Sequence, residues 1–316
     1  MKVLVFDKGV DLSLEELATA APGFDYVLAR GNEDATLRAA AEAEIIIGLA
    51  EAIPGRVLAA APRLRWIQAL TSGTDRLEAL PELRPEVLVT AMRGIQGPQM
   101  AELALLLMLA LLRDMRGMLA RQAQRIWDRR PQPLLYGRTV AILGVGSIAE
   151  HLAEHCKLFG MAVIGVSSSR REAPHFSEIL PRERLKEVAA RADFLVVLVP
   201  LSEETRHIVD AGVLAAMRPD AFLVNIARGA VVDEAALAAC LAERRIAGAG
   251  LDVFATEPLP QDSPLWALPN VIVTPHVGGV SDIYMRQALP AVVENLNAFL
   301  ERGPAGLRNL VRRGGT

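Results

Sequence analysis

Cysteine is nearly absent from this sequence, with Cys156 and Cys240 the two in 316 residues. Two cysteines cannot make a disulfide framework, and both fall in helical patterns, so buried reduced thiols are expected. Long apolar runs are missing too. The most extended is LALLLMLALL at 103–112, bracketed by Glu102 and Arg113; it reads as a core helix and is too short to cross a bilayer. Neither sign of charge is in excess. A formal net charge of −3 removes the general reason to expect nucleic acid or an anionic membrane as partner. The chain opens on MKVLVFD, a strand pattern rather than a cleavable leader, so a reducing cytoplasmic setting is expected. His151, His155, His175 and His207 make no ligand spacing with cysteines or carboxylates, so no metal is expected. A G-x-S-x-G nucleophile motif, internal repeats and low-complexity segments are also absent. Aromatic residues make up 4%, and few lie near residues 49 and 70–75, which leaves pocket size open.

What is present is apolar and periodic. The chain is 52% hydrophobic, enough to fill the cores of two domains. KVLVF (2–6), DYVLA (25–29), EIIIG (44–48), LRWIQAL (64–70) and EVLVT (86–90) are short strand patterns without polar alternation. That is the signature of strands buried on both faces. Helical spacing separates them. A long helical pattern runs from Pro98 to about residue 120, and an irregular stretch follows with Pro131, Pro133 and Gly137. A second series then begins: TVAILG (139–144), MAVIGV (161–166), DFLVVLV (193–199), AFLVNI (221–226), GAGLDV (248–253) and NVIVT (270–274), with a final helix over 282–302. The expected fold is α/β, two Rossmann-like doubly wound parallel-sheet domains. A nucleotide-binding domain over 98–285 is inserted into a substrate domain made of 1–97 and 286–316.

The strand TVAIL runs directly into Gly144-Val145-Gly146-Ser147-Ile148-Ala149 and then a helical pattern. In this G-x-G-x-x-A turn Gly144 permits the tight bend, Gly146 admits a pyrophosphate, and Ala149 lets helix and strand pack closely. The pyrophosphate would sit near the amides of Ser147 and Ile148 at the helix N-terminus. The second strand ends in Ser167-Ser168-Ser169-Arg170-Arg171. An NAD-specific site wants a carboxylate there for the ribose 2′-hydroxyl. Hydroxyls and two guanidiniums suit a 2′-phosphate instead, so NADP(H) is expected over NAD(H), which remains possible.

Three polar residues close later strand patterns: Arg228 after AFLVNIA, Glu257 after GAGLDVFAT, and His276 after VIVTP. Singly, each is an ordinary loop residue. At neighbouring strand ends beside a nucleotide turn they form a kit for hydride transfer to a 2-keto acid. Arg can hold the carboxylate and polarise the carbonyl with a rigid fork. His can protonate the developing alkoxide near neutral pH. A carboxylate beside the ring favours imidazolium and fixes its orientation. A cleft that closes between two domains would exclude water.

The blocks GRTVAILGVGSIA, PLSEETRHIVD, VNIARGAVVDEAAL, GAGLDVFATEPLP and TPHVGG, in that order and spacing, resemble the D-isomer-specific 2-hydroxyacid dehydrogenases, among them glyoxylate/hydroxypyruvate reductases and phosphoglycerate dehydrogenase. The likeness is strongest from Leu134 to about Gly279. It implies that Arg228 binds the substrate's carboxylate and keto oxygen, that His276 is the acid and base, and that Glu257 holds the imidazole. It implies that Asp252 bonds the nicotinamide carboxamide and that Ser147 and Ile148 form the pyrophosphate-binding pair. By the same likeness Val199 and Pro200 line the adenosine, Ile226 and Ala227 pass under the nicotinamide, and Gly278 and Gly279 follow the acid at the cofactor. Ser72 and Gly73 match a loop whose amides hold the carboxylate, with Ser72 also near the cofactor; Leu49 would touch substrate. Ser147, Ala149, Ser167 and the segment AMRGIQ (91–96) depart from the common pattern, bearing on the cofactor and the substrate mouth. The resemblance further implies a homodimer through the nucleotide-binding domain, using the 98–120 helix and the region of Trp127. The activity implied is reduction of a small 2-keto acid, glyoxylate or hydroxypyruvate first, to a D-2-hydroxy acid. Alternatives are a reductase of bulkier 2-keto acids and a nucleotide-sensing, corepressor-like binding protein.

Overall fold

The structure, a computed structural model, describes residues 1–6, 12–29 and 33–312. Its strands, numbered in chain order, are β1 (Lys2–Val5), β2 (Asp25–Leu28), β3 (Ile45–Gly48), β4 (Trp66–Ala69), β5 (Leu88–Thr90), β6 (Thr139–Leu143), β7 (Ala162–Val166), β8 (Glu178–Leu180), β9 (Phe194–Val197), β10 (Phe222–Asn225), β11 (Gly248–Leu251), β12 (Val271–Val273) and β13 (Leu310–Arg312). They form two sheets in two compact units, one of residues 1–95 with 281–316 and one of residues 96–280. The predicted domain boundaries lie after residues 97 and 285.

In the first unit the strand order is β13-β5-β4-β3-β1-β2. All pairs are parallel except β13 on β5. Apolar residues on both faces force burial on both faces. Leu4 and Ile46 pack into one core, while Val3, Val5, Ile45 and Ile47 pack into another with Tyr284, Val292 and Leu296 of the helix Tyr284–Arg302. Such fully buried side chains contribute about 1.5–3 kcal/mol each relative to exposure. The short antiparallel β13, Leu-Val-Arg, is absent from the strand patterns expected from the sequence.

The second unit holds the order β12-β11-β10-β9-β6-β7-β8, parallel throughout. Alternation again divides the core: Ala141, Leu143 and Leu223 face one side, Val140, Ile142 and Val224 the other. Six strands were expected here. The seventh, β8, lies at the edge beside β7, and its sequence Glu-Ile-Leu is too short and mixed to read as a strand. Chain order reverses between β6 and β9, the place where doubly wound sheets receive ligands at their carboxyl ends. The single helix expected over 98–120 is two, Gly97–Leu112 and Met115–Ala123. Asp114 takes a left-handed conformation between them (φ 50°), and its side chain accepts a hydrogen bond from the Gly117 amide at 3.1 Å, capping the second helix. Among the described residues no helix is long and apolar enough to cross a membrane.

Candidate active site

Arg228, Glu257 and His276 follow β10, β11 and β12, three strands adjacent in the second sheet. The carboxylate of Glu257 joins two of these loops. Its Oε2 lies 2.8 Å from His276 Nδ1, and its Oε1 accepts the Phe254 amide at 2.9 Å. Glu257 is thereby held by its own loop while it holds the ring. Its side chain is 13% exposed, that of His276 45%. The acid is withdrawn into the protein, whereas the imidazole is partly exposed.

The hydrogen bond that His276 donates to the Glu257 carboxylate raises the His276 pKa above the ordinary 6.5, against the opposing effects of burial and of the Arg228 charge. Asp252 adds a smaller push in the same direction. The ring therefore keeps its proton to higher pH than a free histidine.

Arg228 is placed by a turn that its neighbour Asn225 shapes. The Asn225 side chain accepts the Ala227 amide at 3.1 Å and donates to the Arg228 carbonyl at 3.0 Å, and Arg228 Nη1 donates to the Ala227 carbonyl at 2.7 Å. Asn225 is buried at the end of an apolar strand. A polar residue closing such an apolar run is the sequence signal that marks this position, which the expected site residues do not include. The next residue, Gly229, abuts the Phe254–Ala255 backbone. Ala255 in turn donates its amide to Glu234 at 2.9 Å.

Asp252, expected at the carboxamide, is almost fully buried and accepts three hydrogen bonds, from Thr274 Oγ1 at 2.6 Å, the Val277 amide at 3.0 Å and the Gly278 amide at 2.9 Å. Gly278 packs on Leu103 and Met100 of the helix Gly97–Leu112, while Gly279 has open space where a side chain would project.

The nucleotide turn has the geometry that its glycines require. Gly144 has φ +101°, and a Cβ there would lie 2.8 Å from the Val199 amide nitrogen. Gly146 caps the helix Ser147–Leu158 with no side-chain hydrogen bond, and nothing lies within 4 Å of where its Cβ would be. Amides near Ser147 and Ile148, open space above Gly146 and the positive end of the helix dipole fit a dinucleotide pyrophosphate. Val199 and Ile226 are buried, Pro200 is exposed, and Ala227 is half-buried at the same carboxyl edge.

The segment after β7 is less open than expected. Ser167 is buried, and its hydroxyl accepts the Ser169 and Arg170 amides at 3.4 and 3.2 Å. Arg170 donates to Glu150 at 2.5 Å and to the Val145 carbonyl at 3.4 Å. Arg171 donates to the carbonyls of Ser167, Ser168 and Arg170. Both guanidiniums have internal partners, although Arg170 is tied to the nucleotide turn itself. Leu49, Ser72 and Gly73 belong to the other unit, where they follow β3 and β4. There the Thr71 hydroxyl donates to the Gly73 carbonyl at 2.9 Å. Among the described residues no group of three or more His, Cys, Asp or Glu could hold a metal ion.

Comparison with known proteins gives a consistent picture. Residues 105–278 match the family model described as the NAD-binding domain of D-isomer specific 2-hydroxyacid dehydrogenases. The chain is 36% identical over 260 residues to a glyoxylate reductase of Korarchaeum cryptofilum, covering 79% of this chain and 77% of that protein. A D-isomer specific 2-hydroxyacid dehydrogenase family protein from Aeromonas salmonicida superposes with a TM-score of 0.88 at 35% identity, covering 98% of both chains. A D-isomer specific 2-hydroxyacid dehydrogenase from Xanthobacter autotrophicus, solved with NADPH and MES, gives a TM-score of 0.80 at 33% identity over 99% of this chain and 100% of that one. Two Rossmann-like parallel-sheet units, a nicotinamide-dinucleotide turn and this agreement over nearly the whole length lead to one conclusion: the chain belongs to the D-isomer-specific 2-hydroxyacid dehydrogenase family.

Proposed function

We propose that this protein reduces a small 2-keto acid, glyoxylate or hydroxypyruvate first, to the D-2-hydroxy acid, with NADPH preferred over NADH. The observation that carries the reading is the Glu257–His276 pair with the Arg228 charge acting on the same ring. It supplies a carbonyl-protonating acid next to a carboxylate-binding cation at the carboxyl edge of a nucleotide-binding sheet. The relative of K. cryptofilum is named a glyoxylate reductase, which supports the substrate class.

When bound, the cofactor supplies or accepts the hydride. The remaining work belongs to the chain. Arg228 binds the substrate carboxylate and polarises the keto oxygen through its fork of donors. His276 is held through Nδ1 by Glu257, so the proton for the keto oxygen leaves from Nε2; in the reverse direction Nε2 takes it back. Glu257 stabilises the imidazolium and fixes the plane of the ring. Asp252 has one carboxylate acceptor position beyond the three in use, and we assign it to the nicotinamide carboxamide. Residues 96–280 then serve as the cofactor domain.

The NADPH preference rests on Arg170 beside the turn and on the absence of a carboxylate at Ser167. The NADPH complex of the X. autotrophicus relative supports it. A homodimer is supported by apolar side chains left exposed on the second unit, among them Leu106, Leu119 and Trp127, the last 94% exposed. A cytoplasmic setting is supported by two buried free cysteines. The test is a panel of 2-keto acids with NADPH and NADH, followed at the absorbance of the reduced nicotinamide. Turnover of glyoxylate or hydroxypyruvate with higher kcat/KM for NADPH is expected. No turnover on any member would favour a nucleotide-sensing binding protein instead.

A further inference from the structure

His276 occupies a backbone conformation that histidine seldom adopts, with φ +54°. For a residue with a side chain this left-handed region is strained, and it is sustained only when the surroundings over-determine it. The over-determination is visible. The His276 amide donates to the Thr274 carbonyl at 3.1 Å, closing a tight turn. The Asp252 carboxylate then grips the chain on both sides of the histidine: Oδ1 accepts the Thr274 hydroxyl, two residues before, and the Val277 amide, one residue after, while Oδ2 accepts the Gly278 amide. Asp252 is itself fixed, since it leaves β11 with its amide donated to the Asn225 carbonyl at 3.0 Å. Thr274 likewise leaves β12 with its amide donated to the Leu251 carbonyl at 2.9 Å. A buried carboxylate with three donors is among the stiffest anchors available to a loop, because each bond is charge-assisted and loss of any one leaves charge poorly solvated.

We infer that Asp252 and Thr274 are positioning residues for the catalytic histidine: a buried Asp–Thr link that holds the His276 turn in its left-handed conformation and so presents the ring to Glu257. This rests on the assignment of His276 as the acid. It adds to the cofactor contact given to Asp252 a second task, and to Thr274 a first one. The charged groups that act on the ring from the packed loops are Glu257, Arg228 and Asp252. Thr274 is neutral, so its replacement changes the geometry without removing a charge.

The test is Thr274→Val, which removes the hydroxyl and keeps the branched shape, with Thr274→Ser as the restoring variant. Loss of a hydrogen bond to a carboxylate is expected to lower kcat about tenfold. The dissociation constant for NADPH should stay at its wild-type value, and Thr274→Ser should recover most of the rate. In the cofactor-free protein, the His276 ring should titrate at lower pH in Thr274→Val than in wild type, followed by NMR, because a loosened turn weakens its bond to Glu257. Wild-type kcat and titration in Thr274→Val would overturn the inference. So would a loss confined to the thermal midpoint, or a rate loss matched by weaker NADPH binding with an unchanged titration. His276→Ala runs alongside. If it abolishes turnover while Thr274→Val is normal, the positioning link alone fails; if it keeps full turnover, the assignment of the acid fails with it.

Discussion

A Cβ on Gly229 would lie 1.9 Å from the carbonyl carbon of Phe254 and 2.3 Å from the Ala255 amide nitrogen. The turn that carries Arg228 therefore rests backbone to backbone on the segment that leads into Glu257. The contacting atoms are main chain, which cannot swing aside as a flexible side chain can. Gly229→Ala should push the two loops apart at a cost of about 1–3 kcal/mol. It should lower the thermal midpoint and also reduce kcat/KM, since the Arg228 fork and the Glu257–His276 pair would lose register. Calorimetry with steady-state kinetics checks this; a variant with wild-type values for both would contradict the contact.

The pH dependence follows from the direction of the His276 shift. Reduction needs the ring protonated, and its pKa stands above 6.5, chiefly through the hydrogen bond to Glu257. The rate of reduction should hold through pH 6.5 and decline only as the pH passes the raised value. Glu257→Gln removes the principal cause of the shift, so the decline should move toward lower pH and kcat at neutral pH should fall. The same raised value has a consequence for folding. The stabilising contribution of the pair is fully present below pH 6.5 and is lost as the pH rises through the folded-state value. Rate profiles of both proteins check the prediction; superimposable profiles would remove Glu257 from its role.

The trio was readable from the sequence because each member closes an apolar run, and apolar runs at this spacing become adjacent parallel strands. The environment that tunes the trio was not. Asp252 and Thr274 lie 22 residues apart, and nothing in their identities announces that a carboxylate leaving β11 reaches over to clamp the turn after β12. That becomes visible only with the left-handed His276 in view. β8 escaped notice because an edge strand of three residues needs little apolar pattern. The break at Asp114 escaped because it has neither glycine nor proline; a side-chain cap makes it. At Ser167–Arg171 residue types suggested free hydroxyls and guanidiniums, whereas the local turn satisfies several of them internally.

That internal pairing yields a test of cofactor choice. Arg170 is bonded to Glu150 in the first turn of the helix Ser147–Leu158, so a 2′-phosphate would compete with a carboxylate for the guanidinium. Glu150→Gln should raise kcat/KM for NADPH about two- to fivefold, the scale of a partly exposed ion pair, with little effect on NADH. Arg170→Ala should lower the NADPH value while sparing NADH. Equal effects on both cofactors in the two variants would remove Arg170 from 2′-phosphate recognition.

Replacement of Arg228 separates charge from geometry. Its guanidinium lowers the His276 pKa while Glu257 raises it, so it acts on the acid as well as on the substrate. Arg228→Lys keeps the charge near the ring but loses the planar fork that grips a carboxylate with parallel bonds. Its pH profile should therefore stay close to wild type while kcat/KM falls about a hundredfold, near 3 kcal/mol. Arg228→Ala loses both. Its kcat/KM should fall further, and the decline in rate should shift to higher pH, because a positive charge that opposes protonation of the ring is gone. A profile that moves in Arg228→Lys but not in Arg228→Ala would reverse the expected order and rule out direct action of this guanidinium on His276.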